Sequence, residues 1–151
     1  MRAFTLIEIL FATFIVMLIA GAIYVITSIA MVSWDSSRGK LEVVQELRAA
    51  MDGMTRESRQ GKLSSLSVQD NGARLNFAIP DINSTISYYV QNNQLIREHP
   101  PGTTQVLANN VNYLNFSMNS TELQIRIQAN KAIKGAAHVF SLIEGVKLRN
   151  E

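Results

Sequence analysis

Roughly 25 residues without a charged side chain follow Glu8, the single carboxylate near the start of this chain, and the run ends at Asp35. As a helix, such a run is long enough to cross a bilayer. An ionised side chain in a span costs about 2.5–3.5 kcal/mol at its centre and less near an end. A plain anchor does better without Glu8, which makes that residue a functional candidate. Behind the span, roughly 118 residues remain, enough for one modest core. The formal net charge of +2 gives no ground for a nucleic-acid partner or an acidic substrate. With no cysteine, the chain has no disulfide, thiolate metal site or thiol nucleophile.

The N-terminal segment admits three readings. A cleaved secretory signal has a basic start, here Arg2, and a small-residue cleavage site, here Ala20-Gly21-Ala22 or Ser28-Ile29-Ala30. Against it, the apolar run continues past the first of these sites, and Glu8 lies where a signal is most apolar. A simple membrane anchor explains the length and leaves Glu8 without a purpose. The third reading rests on order and position: Met1-Arg2-Ala3, then Phe4-Thr5-Leu6-Ile7-Glu8, then the apolar run.

That arrangement resembles the processing site of type IV pilins and type II secretion pseudopilins. The resemblance implies a cut between Ala3 and Phe4 by a prepilin peptidase, with N-methylation of Phe4 and retention of the apolar segment. It implies that Phe4 and Glu8 serve subunit assembly. The partners it implies are other pilin or pseudopilin subunits, the peptidase and an inner-membrane assembly platform. The implied location is the bacterial inner membrane, single-pass, with a cytoplasmic N-terminus and a periplasmic C-terminal domain. The physical logic stands beside the name: an ammonium group at Phe4 and a carboxylate at Glu8 attract strongly at low dielectric, and each offsets part of the other's desolvation. The chain departs from the family in having Ala3 where Gly is usual, a leader of three residues, and no proline before Pro80.

From Trp34 onward, Leu41, Val44, Leu47, Met51 and Met54 recur at near-helical spacing and form an apolar stripe. Gly53 reads as a point of close packing on a sheet, and Gly61 as the stop of the helix. No strong breaker separates the two halves, so one helix of roughly 50–55 residues is expected, with Gly21 and Gly39 its weak points.

After Leu63 the period changes to two: Leu75, Phe77 and Ile79; Ile86, Tyr88 and Val90; Leu114, Phe116 and Met118; Leu123, Ile125 and Ile127. Asp70-Asn71-Gly72, Asn92-Asn93 and Asn119-Ser120-Thr121 read as turns, while Pro80 and Pro100-Pro101-Gly102 mark loops. The stretch from Asn130 to Gly135 reads as a loop, and His138 to Leu148 as the last strand. An apolar sheet face needs a cover, and the stripe of the helix supplies it.

The expected fold class is α+β, a long helix packed on an antiparallel β-sheet, which is also the pilin-like roll that the resemblance implies. Expected divisions are a leader at 1–3, a transmembrane segment at 4–33, an amphipathic helix at 34–61 and a sheet domain at 62–151. The strand half resembles minor pseudopilins of the type II secretion J kind and related minor pilins.

No catalytic constellation appears. His99 and His138 lack a second ligand at metal spacing, and no phosphate loop or nucleophile elbow is present. Asp70 is the one candidate for a calcium contact. Lys131, Lys134, Lys147 and Arg149 form a candidate basic patch. The expectation is a non-enzymatic filament subunit that needs no cofactor, processed by the peptidase and serving type II secretion or a type IV pilus. The alternative is a single-pass anchored periplasmic binding domain that does not polymerise, and a third possibility is a secreted soluble domain.

Overall fold

A computed structural model describes residues 5–79 and 84–148. The leader and cut-site residues Met1 to Phe4, the Pro80 loop and Arg149 lie outside the described residues. The chain divides into two units, Met1–Gly39 and Lys40–Glu151, and a single helix, α1 (Leu6–Gln60, 55 residues), has turns in both. Neither Gly21 nor Gly39 interrupts it.

In the first unit α1 is apolar on every side and exposed on every side, from Leu6 at 83 % exposure to Trp34 at 68 %. It is long and apolar enough to cross a membrane. Its few hydroxyls turn back onto the helix: Thr13 donates to the Leu10 carbonyl, Thr27 to those of Ile23 and Tyr24, and Ser28 to that of Tyr24. Such back-bonding is how a polar side chain is tolerated where no water competes.

The second unit holds the last turns of α1 and eight antiparallel strands. They are β1 (Ser67–Gln69), β2 (Arg74–Ala78), β3 (Thr85–Gln91), β4 (Gln94–Glu98), β5 (Thr104–Asn109), β6 (Val111–Asn119), β7 (Glu122–Ile133) and β8 (Ala136–Lys147). They form two sheets rather than the single one expected: β1-β2-β3-β4-β5 and β6-β7-β8. The break falls at one residue, Asn110, whose φ of 58° turns the chain out of the first sheet. The fold class is α+β, one long helix with antiparallel sheets.

The expected alternation holds in the strands. Leu75, Phe77, Ile86, Tyr88, Leu114, Phe116, Leu123, Ile125 and Ile127 are all buried, and they join one cluster with the helix. Phe77 and Tyr88 stack with ring centres 6.1 Å apart. Met118, expected inside, is 38 % exposed.

The helix stripe meets the expectation at Leu47, Met51 and Met54 and is shifted around them. Its buried residues are Val43, Leu47, Ala50, Met51, Met54, Thr55 and Ser58, at spacings of four, three and one. Leu41 is exposed and Val44 half-buried. Small side chains at 50, 55 and 58 let the backbone approach the sheets, and a count of large apolar residues passes over them.

Of the two glycines singled out on the helix, Gly53 differs from expectation and Gly61 meets it. Gly53 has open space around it, with nothing within 4 Å of an added Cβ. Gly61 does follow the last helical turn, but through packing: a Cβ there would lie 2.7 Å from the Phe77 ring. The expected loop from Asn130 to Gly135 is largely strand. β7 pairs with β8 in unbroken register out to Ile133↔Ala136, and only Lys134 and Gly135 turn, with φ of 50° and 81°. Ser65 lies in a short 3₁₀ turn, and its hydroxyl accepts the Ala78 N–H at 3.0 Å.

The three expected turns are present. Asn92 and Asn93, both with positive φ, close the β3–β4 hairpin in two residues, as a type I′ turn requires. Ser120 and Thr121 join β6 to β7. Asp70, Asn71 and Gly72 are three consecutive left-handed residues. Only glycine fits the third, because a Cβ would collide with Asn115 Nδ2 and lie 2.9 Å from the Phe116 carbonyl.

Candidate functional site

At the head of α1, Thr5 is the residue before the first helical turn and Glu8 the third residue inside it. The Thr5 backbone N–H donates to Glu8 Oε2 at 2.9 Å, and the Thr5 hydroxyl donates to the same oxygen at 3.1 Å. The Glu8 N–H lies 3.4 Å from Thr5 Oγ1. This reciprocal pairing is a capping box, and the sequence signal for it, Thr-x-x-Glu before an apolar run, is legible at positions 5 to 8. It gives Glu8 a local task that the sequence reading missed. The bonds use Oε2, and Oε1 takes part in none of those among the described residues. The remaining residues of the expected site, Ala3 and Phe4, lie outside the described residues.

A second polar cluster ties the end of α1 to the first sheet. The Tyr88 hydroxyl donates to Glu57 Oε2 at 2.6 Å, while Arg97 Nε reaches Glu57 Oε1 at 3.1 Å and Oε2 at 3.0 Å. The Glu57 and Arg97 side chains are 27 % and 19 % exposed, and Tyr88 is wholly buried. Burial pushes the Tyr88 phenol far above its ordinary range; the Glu57 carboxylate adds to the rise and Arg97 opposes it. Along the same flank, Glu46 accepts the Asn109 N–H at 2.9 Å and its side-chain amide at 2.7 Å, and Lys131 donates to Glu42 at 2.8 Å. The hydrogen bond and charge of Lys131 hold the Glu42 carboxyl below its usual range. Glu57, Arg97 and Tyr88 lie 31 and 40 residues apart, and no local pattern announces them.

Among the described residues, the expected basic patch is split between the two ends of the β7–β8 hairpin, with Lys131 and Lys134 at the turn and Lys147 at the far end. Lys131 is paired with Glu42, and Lys147 lies at the opposite end of the β7–β8 hairpin, opposite Glu122. Nine rows of ladder separate Lys131 from Glu122, about 30 Å at the rise of a strand. The Asp70 carboxylate faces Arg74 at 3.8 Å. Among the described residues, no group of three or more His, Asp or Glu is placed to hold a metal ion. His99 Nδ1 lies 3.1 Å from the Ser84 hydroxyl, and the His138 ring lies beside Phe140 on β8.

On the other flank of α1, an open groove of about 300 Å³ runs between Arg48, Ala49, Met51 and Asp52 of the helix and Leu142, Ile143 and Glu144 of β8. It continues past Thr55, Arg56 and Arg59 in a second space of about 400 Å³. The side chains are of mixed charge and show no nucleophile with an adjacent base. No protein-family model, curated protein or solved structure matches the chain.

Proposed function

We propose that this chain is a minor pilin or pseudopilin, a membrane-inserted filament subunit processed by a prepilin peptidase. The observation that carries the reading is Phe4-Thr5-Leu6-Ile7-Glu8 at the head of an apolar helix with no other charge before Asp35. Two features support it. The apolar half of α1 has no cover within its own unit, as a helix has when its packing partners are lipid or sister subunits. The helix also continues without a break into the stripe that enters the strand core, the arrangement of a pilin-like roll. In this reading Phe4 is the new N-terminus. Its amine meets Glu8 of a subunit already in place, setting axial register while apolar faces pack. The chain is a substrate of the peptidase, not an enzyme, and works in a type II secretion or type IV pilus system.

The test is the intact mass of the native protein. Loss of Met1 to Ala3 with gain of one methyl group is the expected result. Retention of the tripeptide, or a start beyond Ala20, would end the filament reading.

The capping box favours a second reading, an anchored periplasmic domain in which Glu8 does nothing beyond starting the helix. Glu8→Gln separates the two, because glutamine keeps the cap and loses the charge. A filament subunit carrying Glu8→Gln inserts in the membrane and fails to incorporate. If Glu8 serves only the cap, Glu8→Gln behaves as the native chain in every assay.

A further inference from the structure

β8 is an edge strand of unusual length. Among the described residues it pairs with β7 alone, over 12 residues, about twice the common length of a strand. Natural proteins guard such edges with proline, bulges or charge, because the outward N–H and C=O groups form a template for another strand. β8 has no proline, its register with β7 is unbroken, and its one lysine is its last residue. Its outward face carries Val139 and Ile143, 66 % and 55 % exposed, on either side of Ser141. Its other face carries His138 and Glu144, equally spaced about the same serine.

We propose that β8 is a self-pairing edge through which two copies of this chain join antiparallel, centred on Ser141. In that register Val139 of each copy lies opposite Ile143 of the other, and His138 lies opposite Glu144. All four pairs are favourable, two apolar and two of basic group against acid. Only alternate residues of an edge turn their peptide groups outward, so permitted registers must be centred on a residue. Centring on Phe140 puts Glu144 opposite Ala136 and Ile143 opposite Ala137. Centring on Leu142 puts Glu144 opposite Phe140 and Val139 opposite Gly145. Both neighbouring registers lose these four pairs and keep in exchange a single Phe140–Phe140 or Leu142–Leu142 contact, so the Ser141 register has the larger number of favourable pairs. The open groove beside Leu142, Ile143 and Glu144 leaves room for the incoming strand. Arg48, Asp52, Arg56 and Arg59 of the helix line the same open space as Glu144, and Glu144 is the acidic group that β8 itself offers to His138 of the other copy. The contact is two-fold and closes at two copies, unlike the head-to-tail contacts that extend a filament. It does not depend on the filament reading and holds equally for an anchored domain.

The chain has no cysteine, so single reporters can be placed in the full protein, reconstituted in lipid vesicles and treated with a mild oxidant. Ser141→Cys is expected to give a disulfide-linked dimer by itself, because that residue meets its own counterpart. Val139→Cys alone is expected to stay monomeric, since its counterpart lies four residues away, about 13 Å. An equal mixture of Val139→Cys and Ile143→Cys chains is expected to cross-link. His138→Glu, which sets like charges opposite each other, lowers the Ser141→Cys dimer yield about fivefold or more, and adding Glu144→Lys restores it. Val139 and Ser141 are exposed, so these reporters leave the core intact. Monomeric Ser141→Cys, equal cross-linking by Val139→Cys alone, or a yield indifferent to His138→Glu would each overturn the proposal.

Discussion

Replacing Glu57 with alanine removes the one carboxylate that joins Tyr88 and Arg97 to the end of α1. The Tyr88 hydroxyl is wholly buried and loses a hydrogen bond to a charged acceptor, worth about 1.5–3 kcal/mol. Arg97 loses its partner while its side chain is 19 % exposed. Breaking a fully buried ion pair costs about 3–5 kcal/mol, and access to water at both partners brings that down to about 1–2. Together these give about 3 kcal/mol, or about two decades in the folding equilibrium. The assay is urea unfolding of the full chain in mild detergent, followed by the circular dichroism of the strands. Tyr88→Phe alone costs about 1.5 kcal/mol, because Glu57 keeps Arg97. In that background Glu57→Ala costs about 1.5 kcal/mol less than it does in the native chain, which is the coupling of the pair. A loss below about 1 kcal/mol for Glu57→Ala, or a loss unaltered by Tyr88→Phe, refutes the idea that the three side chains act as one unit.

Gly53→Ala, at an open helical position, stabilises the chain by about 0.5–1 kcal/mol in the same urea assay. Gly72→Ala destabilises it by about 2 kcal/mol or more, because a left-handed φ of 96° and a collision with Asn115 and the Phe116 carbonyl add. On the alkaline side, the folded Tyr88 phenol titrates above its unfolded value of about 10. Its contribution to stability is therefore complete below about pH 10 and falls as the pH rises beyond that. Urea midpoints compared at about pH 8 and pH 11 fall for the native chain and fall less for Tyr88→Phe.

Much of the scaffold is legible in the order of residues. The absence of a breaker from Leu6 to Gln60 predicts one helix, and one helix of 55 residues is found. Alternation at 75–79, 86–90, 114–118 and 123–127 places the inward faces of four strands, except at the exposed Met118. The helix stripe is legible at Leu47, Met51 and Met54 but not at its margins, where Leu41 and Val44 compete with Val43 and Ala50 for the buried face. Tertiary packing, which prefers small side chains where helix and sheet approach closely, decides between them. Asn130 and Lys131 look like loop residues by composition. They stay in the ladder because Val139 and His138 face them across the hairpin. The split into two sheets rests on a single left-handed asparagine, and alternation carries no record of which strands pair. At the head of the helix, Thr-x-x-Glu is a legible cap. Residues that meet only after folding, such as Glu57, Tyr88 and Arg97, have no signature along the chain.

The three glutamates on one flank of α1 have a mechanical consequence. Glu42, Glu46 and Glu57 are separated by whole turns and grip Lys131, Asn109 and the Tyr88–Arg97 pair. Sliding the helix lengthwise by one turn, about 5.4 Å, would carry all three off their partners at once. Tension along the axis therefore meets the three grips in parallel, as shear, while peeling the helix sideways loads them one after another. Pulled lengthwise, this end of the helix yields in a single abrupt step, and at a higher load than when it is pried away.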